Sequence, residues 1–415
     1  MASWHDGSVR SRLDLFDSEG LATCLSCGSY RDQPYVYEPI KQRSEMRLLK
    51  IQPGEADDPI RGELVIVSTN SQENYDAVSY TWADQTGDAT RCFRAFIGIG
   101  YVSITRSCQE VLQRIRRRLC TKYVWIDSLC VDQDNLQERG HQVQLMPRID
   151  TRAKKTYVYF GPTTSKDESI LEALATGTVE HGWDADEAPF WVALNKFLRR
   201  PYFFRVWIIQ EIALSPNPVI LCGEKVFPWS VLHNDTALQS LPDALYIGLG
   251  KRVVSPLLSL GKRRLRNSAE LLDLLRLGRH CQSTDPRDRV FALLGLVVDA
   301  AAEGLVADYR RSTPEIFTWI ARYLANKGIA ADVLGNVNMC RDSAGSELLL
   351  GFRSQLQLPS WVPDWTNAGT TCLDLFPDAG TYLKNLPFQL DELDMGTLIL
   401  RGLFIRYGYK YQILD

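Results

Sequence analysis

Apolar positions recur at alternate residues through Tyr75-Asp-Ala-Val-Ser-Tyr80, a run rich in β-formers, and this spacing predicts a central strand ending in a loop over Thr81 to Gly87. From Ile104 the period lengthens. Cys108, Val111, Leu112, Ile115 and Leu119 fall at helical intervals, with Gln109, Glu110, Gln113 and Arg116 on the opposite face. Val124 to Asp127 predicts a second strand, and a second helix from about Leu136 carries Val143, Met146, Ile149 and Ala153 on one side. Pro147 inside it removes a backbone donor, so a bend is expected there. Tyr157 to Phe160 predicts a third strand before Gly161-Pro162, and strands alternating with helices argue for a parallel sheet.

The flanks read differently. Tyr35 to Ile40 and Met46 to Ile51 are short β-like runs serving as a lead-in, Leu64 to Val67 is a further strand candidate, and Gly98-Ile-Gly100 reads as a hairpin turn. Downstream, one helix carries Phe190, Leu194 and Phe197, another spans roughly Phe204 to Leu214, and Pro218 to Cys222 forms a strand. Asn267-Ser-Ala-Glu270, Asp285-Pro286 and Thr313-Pro314 are helix start signals, and Leu398 to Phe404 is a late strand. The expected organisation is a polar leader over 1–34, an α/β domain over 35–225, and a mainly helical C-terminal region with a terminal strand over 226–415.

Composition narrows the function classes. Apolar residues make up 45% of 415 and charged residues 23%, and no apolar stretch reaches the ~18 residues of a membrane span. The net charge of -3 provides no overall attraction for nucleic acid. The leader lacks a secretory apolar segment and the ten cysteines are scattered, so a reducing cytoplasmic location is expected. The pair Cys24 and Cys27 has no partner pair, the histidines are dispersed, and no Walker, nucleophile-elbow or His-Glu-x-x-His motif occurs, so neither a metal site nor a resident cofactor is expected.

Several stretches are more specific. Tyr75 to Trp82, Val124-Trp-Ile-Asp127-Ser-Leu-Cys130-Val-Asp-Gln133, Glu138-Arg-Gly-His-Gln142, Val158-Tyr-Phe-Gly161 and Arg200-Pro-Tyr-Phe-Phe-Arg205-Val-Trp207-Ile-Ile-Gln-Glu211 together resemble the heterokaryon-incompatibility (HET) domain of filamentous fungi. Asp285-Pro-Arg287-Asp288, Asp308-Tyr309 and Leu358-Pro-Ser-Trp361-Val-Pro-Asp364-Trp365 are similar to the helical region that usually follows it. The chain departs from the family at Ala83, where Gly is usual, at Ser107 or Cys108 in place of a leading Asn, and at Asp150, where Tyr is usual. HET domains in turn resemble TIR domains, and the order of elements here agrees with that comparison. The resemblance implies a TIR-like, flavodoxin-type open parallel sheet with flanking helices. It also implies a role in non-self recognition and programmed cell death.

By the same resemblance, Glu211 stands where NAD-hydrolysing TIR enzymes carry their catalytic Glu. Ligands of open α/β sheets bind outside the carboxyl ends of the strands, where Tyr80, Trp82 and Asp84 follow the first strand and Asp127 and Cys130 the second. Trp207 and Glu211 share a helix face, and an aromatic beside a carboxylate suits a nicotinamide riboside. The competing readings are structural: Glu211 paired with Arg205 or Arg200, Asp127 capping its own loop, and Cys130 and Trp207 in the core. At the level of function, an NAD hydrolase with NAD as substrate stands against a non-catalytic scaffold. Self-association and a regulatory or incompatibility partner protein are expected in either case.

Overall fold

The computed structural model describes residues 33–177, 190–233, 268–297, 304–337, 339–341, 348–350, 356–359, 361–368, 389–394 and 397–401. They fall into two compact units, one formed by the chain up to Arg264 with Ala300–Tyr309, the other by Leu265–Asp299 with Arg310–Asp415. The leader expected over 1–34, with Cys24 and Cys27, lies almost wholly outside the described residues.

The first unit is built on a nine-stranded sheet: β1 (Glu45–Ile51), β2 (Ile60–Ser68), β3 (Asp76–Tyr80), β4 (Phe93–Ile97), β5 (Gly100–Ile104), β6 (Lys122–Trp125), β7 (Thr156–Tyr159), β8 (Pro218–Cys222) and β9 (Lys225–Pro228). Their spatial order is β5-β4-β2-β1-β6-β3-β7-β8-β9. As expected, β3 lies between β6 and β7 and runs parallel to both, and β8 continues the parallel series beside β7. All five residues of β3 are buried, the pattern of a parallel strand covered on both faces.

The sheet is mixed, because the N-terminal strands are more than a lead-in. β1 pairs antiparallel with both β2 and β6, and β4 with β5 forms the hairpin turning at Gly98 and Ile99. The run from Tyr35 to Ile40 forms no strand; Pro34 makes a single bridge to Tyr101. Arg47 on β1 is fully buried, which no alternation of polar and apolar positions would suggest. Its guanidinium stacks 4.9 Å from the Tyr37 ring and pairs with Glu138.

The helices of this unit are α1 (Arg106–Ile115), the single turn α2 (Asp127–Cys130), α3 (Leu136–Arg152), α4 (Ser165–Thr176), α5 (Phe190–Leu198) and α6 (Ile208–Leu214). α1 ends before Leu119, which is exposed; beyond its end Arg116 turns inward, donating to the carbonyls of Pro59 at 2.9 Å and Asp58 at 3.1 Å. α3 runs as one helix through Pro147. The returning segment runs against α3, where Gln144 donates to the Ala307 carbonyl at 2.9 Å. Thus Asp308-Tyr309 belongs to the α/β unit.

The second unit contains the helices Ser268–Gly278, Asp288–Leu294, Thr313–Leu324 and Ala330–Gly335 and the strand pairs Met339–Arg341 with Leu348–Leu350 and Gln389–Asp394 with Thr397–Arg401. The motif around Arg287 is structural. Asp285 accepts from Arg287 at 2.7 Å, Arg287 donates to the Arg311 carbonyl at 2.7 Å, and Arg289 caps the end of Ser268–Gly278 through the Gly278 carbonyl at 2.9 Å. The helix after Asp285-Pro286 starts at Asp288, because Asp285 first closes a turn onto the Arg287 N–H. Among the described residues no helix is long and apolar enough to cross a membrane.

Candidate functional site: a buried carboxylate cluster beside the central strand

Pro201 opens a short 3-10 turn, Pro201–Phe204, and the chain then extends at Arg205 before α6 begins at Ile208. The helix expected from Phe204 is therefore broken at Arg205. That break turns the Arg205 side chain inward, placing Nη2 3.6 Å from Glu211 Oε1. Arg200 is not the partner of Glu211; it pairs with Asp167 at 2.7 Å and donates to the Pro162 carbonyl at 3.0 Å.

Every residue of α6 is buried, and the Glu211 side chain is only 9% exposed. Ser79, in the middle of β3, donates its hydroxyl to Glu211 Oε2 and lies 2.7 Å from Tyr202 Oη. Since the Ser79 proton is engaged by the carboxylate, Tyr202 is the donor to Ser79. The result is a relay from Tyr202 through Ser79 to Glu211, anchored on the central strand.

Asp127 follows β6. Its Oδ2 accepts from the Trp82 indole at 3.0 Å and its Oδ1 from the Ser128 N–H at 2.7 Å, so it both caps its own turn and holds the loop after β3. Arg91 stacks 5.0 Å over the Trp82 ring. Ser107 on α1 donates to the Ala83 carbonyl at 3.4 Å, so two of the departures from the usual family pattern meet in one contact. Tyr80 is buried beside Asp127, Ser128 and Cys108, and its hydroxyl has no well-aligned partner among the described residues. Burial pushes its phenol up, and pushes the Cys108 thiol up to about 12.

A third carboxylate completes the cluster. Asp150, on the last turn of α3, is buried and accepts from Gln210 at 3.1 Å. Burial raises the pKa values of Asp127, Asp150 and Glu211. Arg205 opposes the shift at Asp127 and Glu211, whereas the neighbouring Glu211 raises Asp150 further. Above its ordinary value of 3.8, Asp150 holds its proton longer in the folded chain than in the unfolded one, so its contribution to stability is complete below 3.8 and is lost as pH rises through the folded value. Asp150→Asn keeps the Gln210 contact and removes that titration. Its stability, followed through the thermal midpoint, is expected to fall less than the parent's as pH rises, the difference in the free-energy slope reaching at most about 1.4 kcal/mol per pH unit. Identical slopes in scans across the acid range would refute the raised Asp150.

The remaining expected site residues sit elsewhere. Asp84 organises its own exposed loop, accepting from the Thr86 N–H at 2.8 Å and the Asp88 N–H at 3.1 Å, and the Thr86 bonds hold its carboxyl below the usual range. Cys130 is fully buried in the core, and its thiol is pushed up to about 12. Trp207 is half-buried, packs on the core cluster, and accepts the Glu211 N–H with its carbonyl at 3.1 Å. Sequence reading missed Ser79, Tyr202, Asp150 and Gln210. The one available signal was a hydroxyl in the middle of a strand otherwise built for burial. Among the described residues no group of His, Cys, Asp or Glu is placed to hold a metal ion.

All of these residues fall within 75–211, the span matched by the family model for Heterokaryon incompatibility protein (HET). That segment of the chain matches a heterokaryon-incompatibility (HET) domain, as its motifs led one to expect. Among curated proteins it is similar to Heterokaryon incompatibility protein 6, OR allele, of Neurospora crassa, at 26% identity over 78% of this chain and 58% of that protein. The chain thus spans less than two thirds of that relative's length. No solved structure matches it.

Proposed function

We propose that this chain is a cytoplasmic effector of heterokaryon incompatibility whose HET domain cleaves the nicotinamide N-glycosidic bond of NAD, leading to cell death. The observation that carries this reading is the placement of Glu211. It is a carboxylate held by a hydroxyl of the central strand, opposite one Arg, with two further carboxylates in its field. In the reaction the bond from the anomeric carbon to the pyridinium nitrogen breaks, its electron pair leaves with nicotinamide, and water attacks the anomeric carbon. Ionised Glu211 stabilises the oxocarbenium-like state and takes the proton of the attacking water, so the products are ADP-ribose, nicotinamide and a proton. Ser79 and Tyr202 fix the orientation of the carboxylate. The TIR-like comparison and the relative's part in incompatibility support the same reading.

A non-catalytic scaffold is favoured by one specific observation: Glu211 is nearly inaccessible and ion-paired with Arg205. On the catalytic reading, self-association opens access to Glu211. Incubating the purified full chain with NAD over a range of protein concentrations distinguishes the two. Nicotinamide release with specific activity rising with concentration is the expected result; no release at any concentration leaves the scaffold.

A further inference from the structure

The parallel part of the sheet has the order β6-β3-β7-β8, so the chain leaves β3 on one side to form β6 and crosses back to form β7 on the other. Carboxyl ends beside such a reversal diverge and leave a crevice for ligands. On the β7 side of this reversal a cavity of about 510 Å³, within the ~300–1,000 Å³ typical of small-molecule sites, is lined by Gln85 after β3, Thr164 after β7 and residues of α4 and α5. The loops on either side are tied together. Gln85, after β3, donates to the Pro162 carbonyl, after β7, at 2.9 Å. Gly161, at φ +90°, keeps that approach open, since a Cβ there would lie 3.2 Å from the Gln85 amide.

Among the described residues the charge of the walls is one-sided. Lys166 from α4 and Lys196, Arg199 and Arg200 from α5 and its end line the cavity, and Asp167 is the acid among its lining residues. Asp167 is already engaged: it accepts from Arg200 and closes the capping box of α4 with Thr164. Arg200 is thereby a fixed wall, and the start of α4 has its own carboxylate. Lys196 and Arg199 have no carboxylate partner among the described residues, Arg199 donating to Asn195 at 3.0 Å. Lys196 on α5 and Arg199 just past its end, three residues apart, line the cavity together with Lys166 from α4, so its walls offer more than one cation to a ligand bearing several phosphate oxygens.

We propose that this cavity binds the pyrophosphate group of a nucleotide, held by Lys196 and Arg199 against the wall formed by Arg200 and Asp167. NAD itself carries such a pyrophosphate, so the inference deepens the proposed reading, but its test uses neither NAD cleavage nor Glu211 and fails or stands separately. The test is calorimetric titration of the purified full chain in about 0.15 M salt with inorganic pyrophosphate, ADP and adenosine. Pyrophosphate and ADP are expected to bind and adenosine to give no heat. The double variant Lys196→Ala, Arg199→Ala, both exposed positions, is expected to weaken binding by about tenfold or more at an unchanged thermal midpoint. Absence of binding by both phosphate ligands, or equal binding by the double variant, would overturn the site. Binding of pyrophosphate without ADP would overturn the nucleotide as its source.

Discussion

Glu211→Gln is expected to keep the fold and lose nicotinamide release by about 10²–10⁴-fold. Gln retains the size of the side chain and an acceptor for the Ser79 hydroxyl, and it removes the charge that an oxocarbenium-like state requires. Arg205 does not become an isolated buried charge, because Asp127 also lies in its field. Burial already works against the carboxylate, so the variant should lie within about 1 kcal/mol of the parent in stability. A purely structural ion pair predicts the opposite outcome, a loss of about 3–5 kcal/mol with function limited only by abundance. Thermal midpoint, nicotinamide release and killing on expression, measured on the one variant, separate the two. Full killing at normal abundance would falsify the catalytic assignment.

Arg47→Ala is expected to lower the stability of the α/β unit by about 3–5 kcal/mol, a fall in midpoint on the order of 6–20 °C. The buried guanidinium donates to both Glu138 oxygens, one contact at 3.0 Å, and to the Cys130 carbonyl at 3.3 Å. Its removal leaves Glu138 buried with the Asp132 N–H and no cation. Replacing both partners, Arg47→Met with Glu138→Leu, removes the unpaired charge and should recover most of the loss. If the double variant were no more stable than Arg47→Ala, the damage would lie in the Tyr37 and Cys130 contacts rather than in the charge pair.

The Arg47–Glu138 pair also shows why part of the fold could not be read along the chain. The partners stand ninety-one residues apart, and neither position is marked by its neighbours. The same holds for the N-terminal strands. Met46 to Ile51 is visibly β-like, but which strand it joins depends on the free edge of β6, formed some seventy residues later. At the site, Glu211 and Asp127 could be singled out by motif, whereas Ser79, Tyr202 and Asp150 acquire their roles only through contacts across the sheet. Asp84 and Cys130 illustrate the converse: loop position alone suggested a crevice, while one side chain organises its own turn and the other fills the core.

The sequence by itself determined the β3–β6–β7 parallel core, the helices between these strands and the family signature, because periodicity and turn chemistry are local properties of the chain. Tertiary structure alone decided that the sheet is mixed, that Arg205 rather than Arg200 meets Glu211, and that three carboxylates share one buried neighbourhood. These are pairings between distant segments, set by which faces must be buried together and by where each polar group finds a partner once water is excluded.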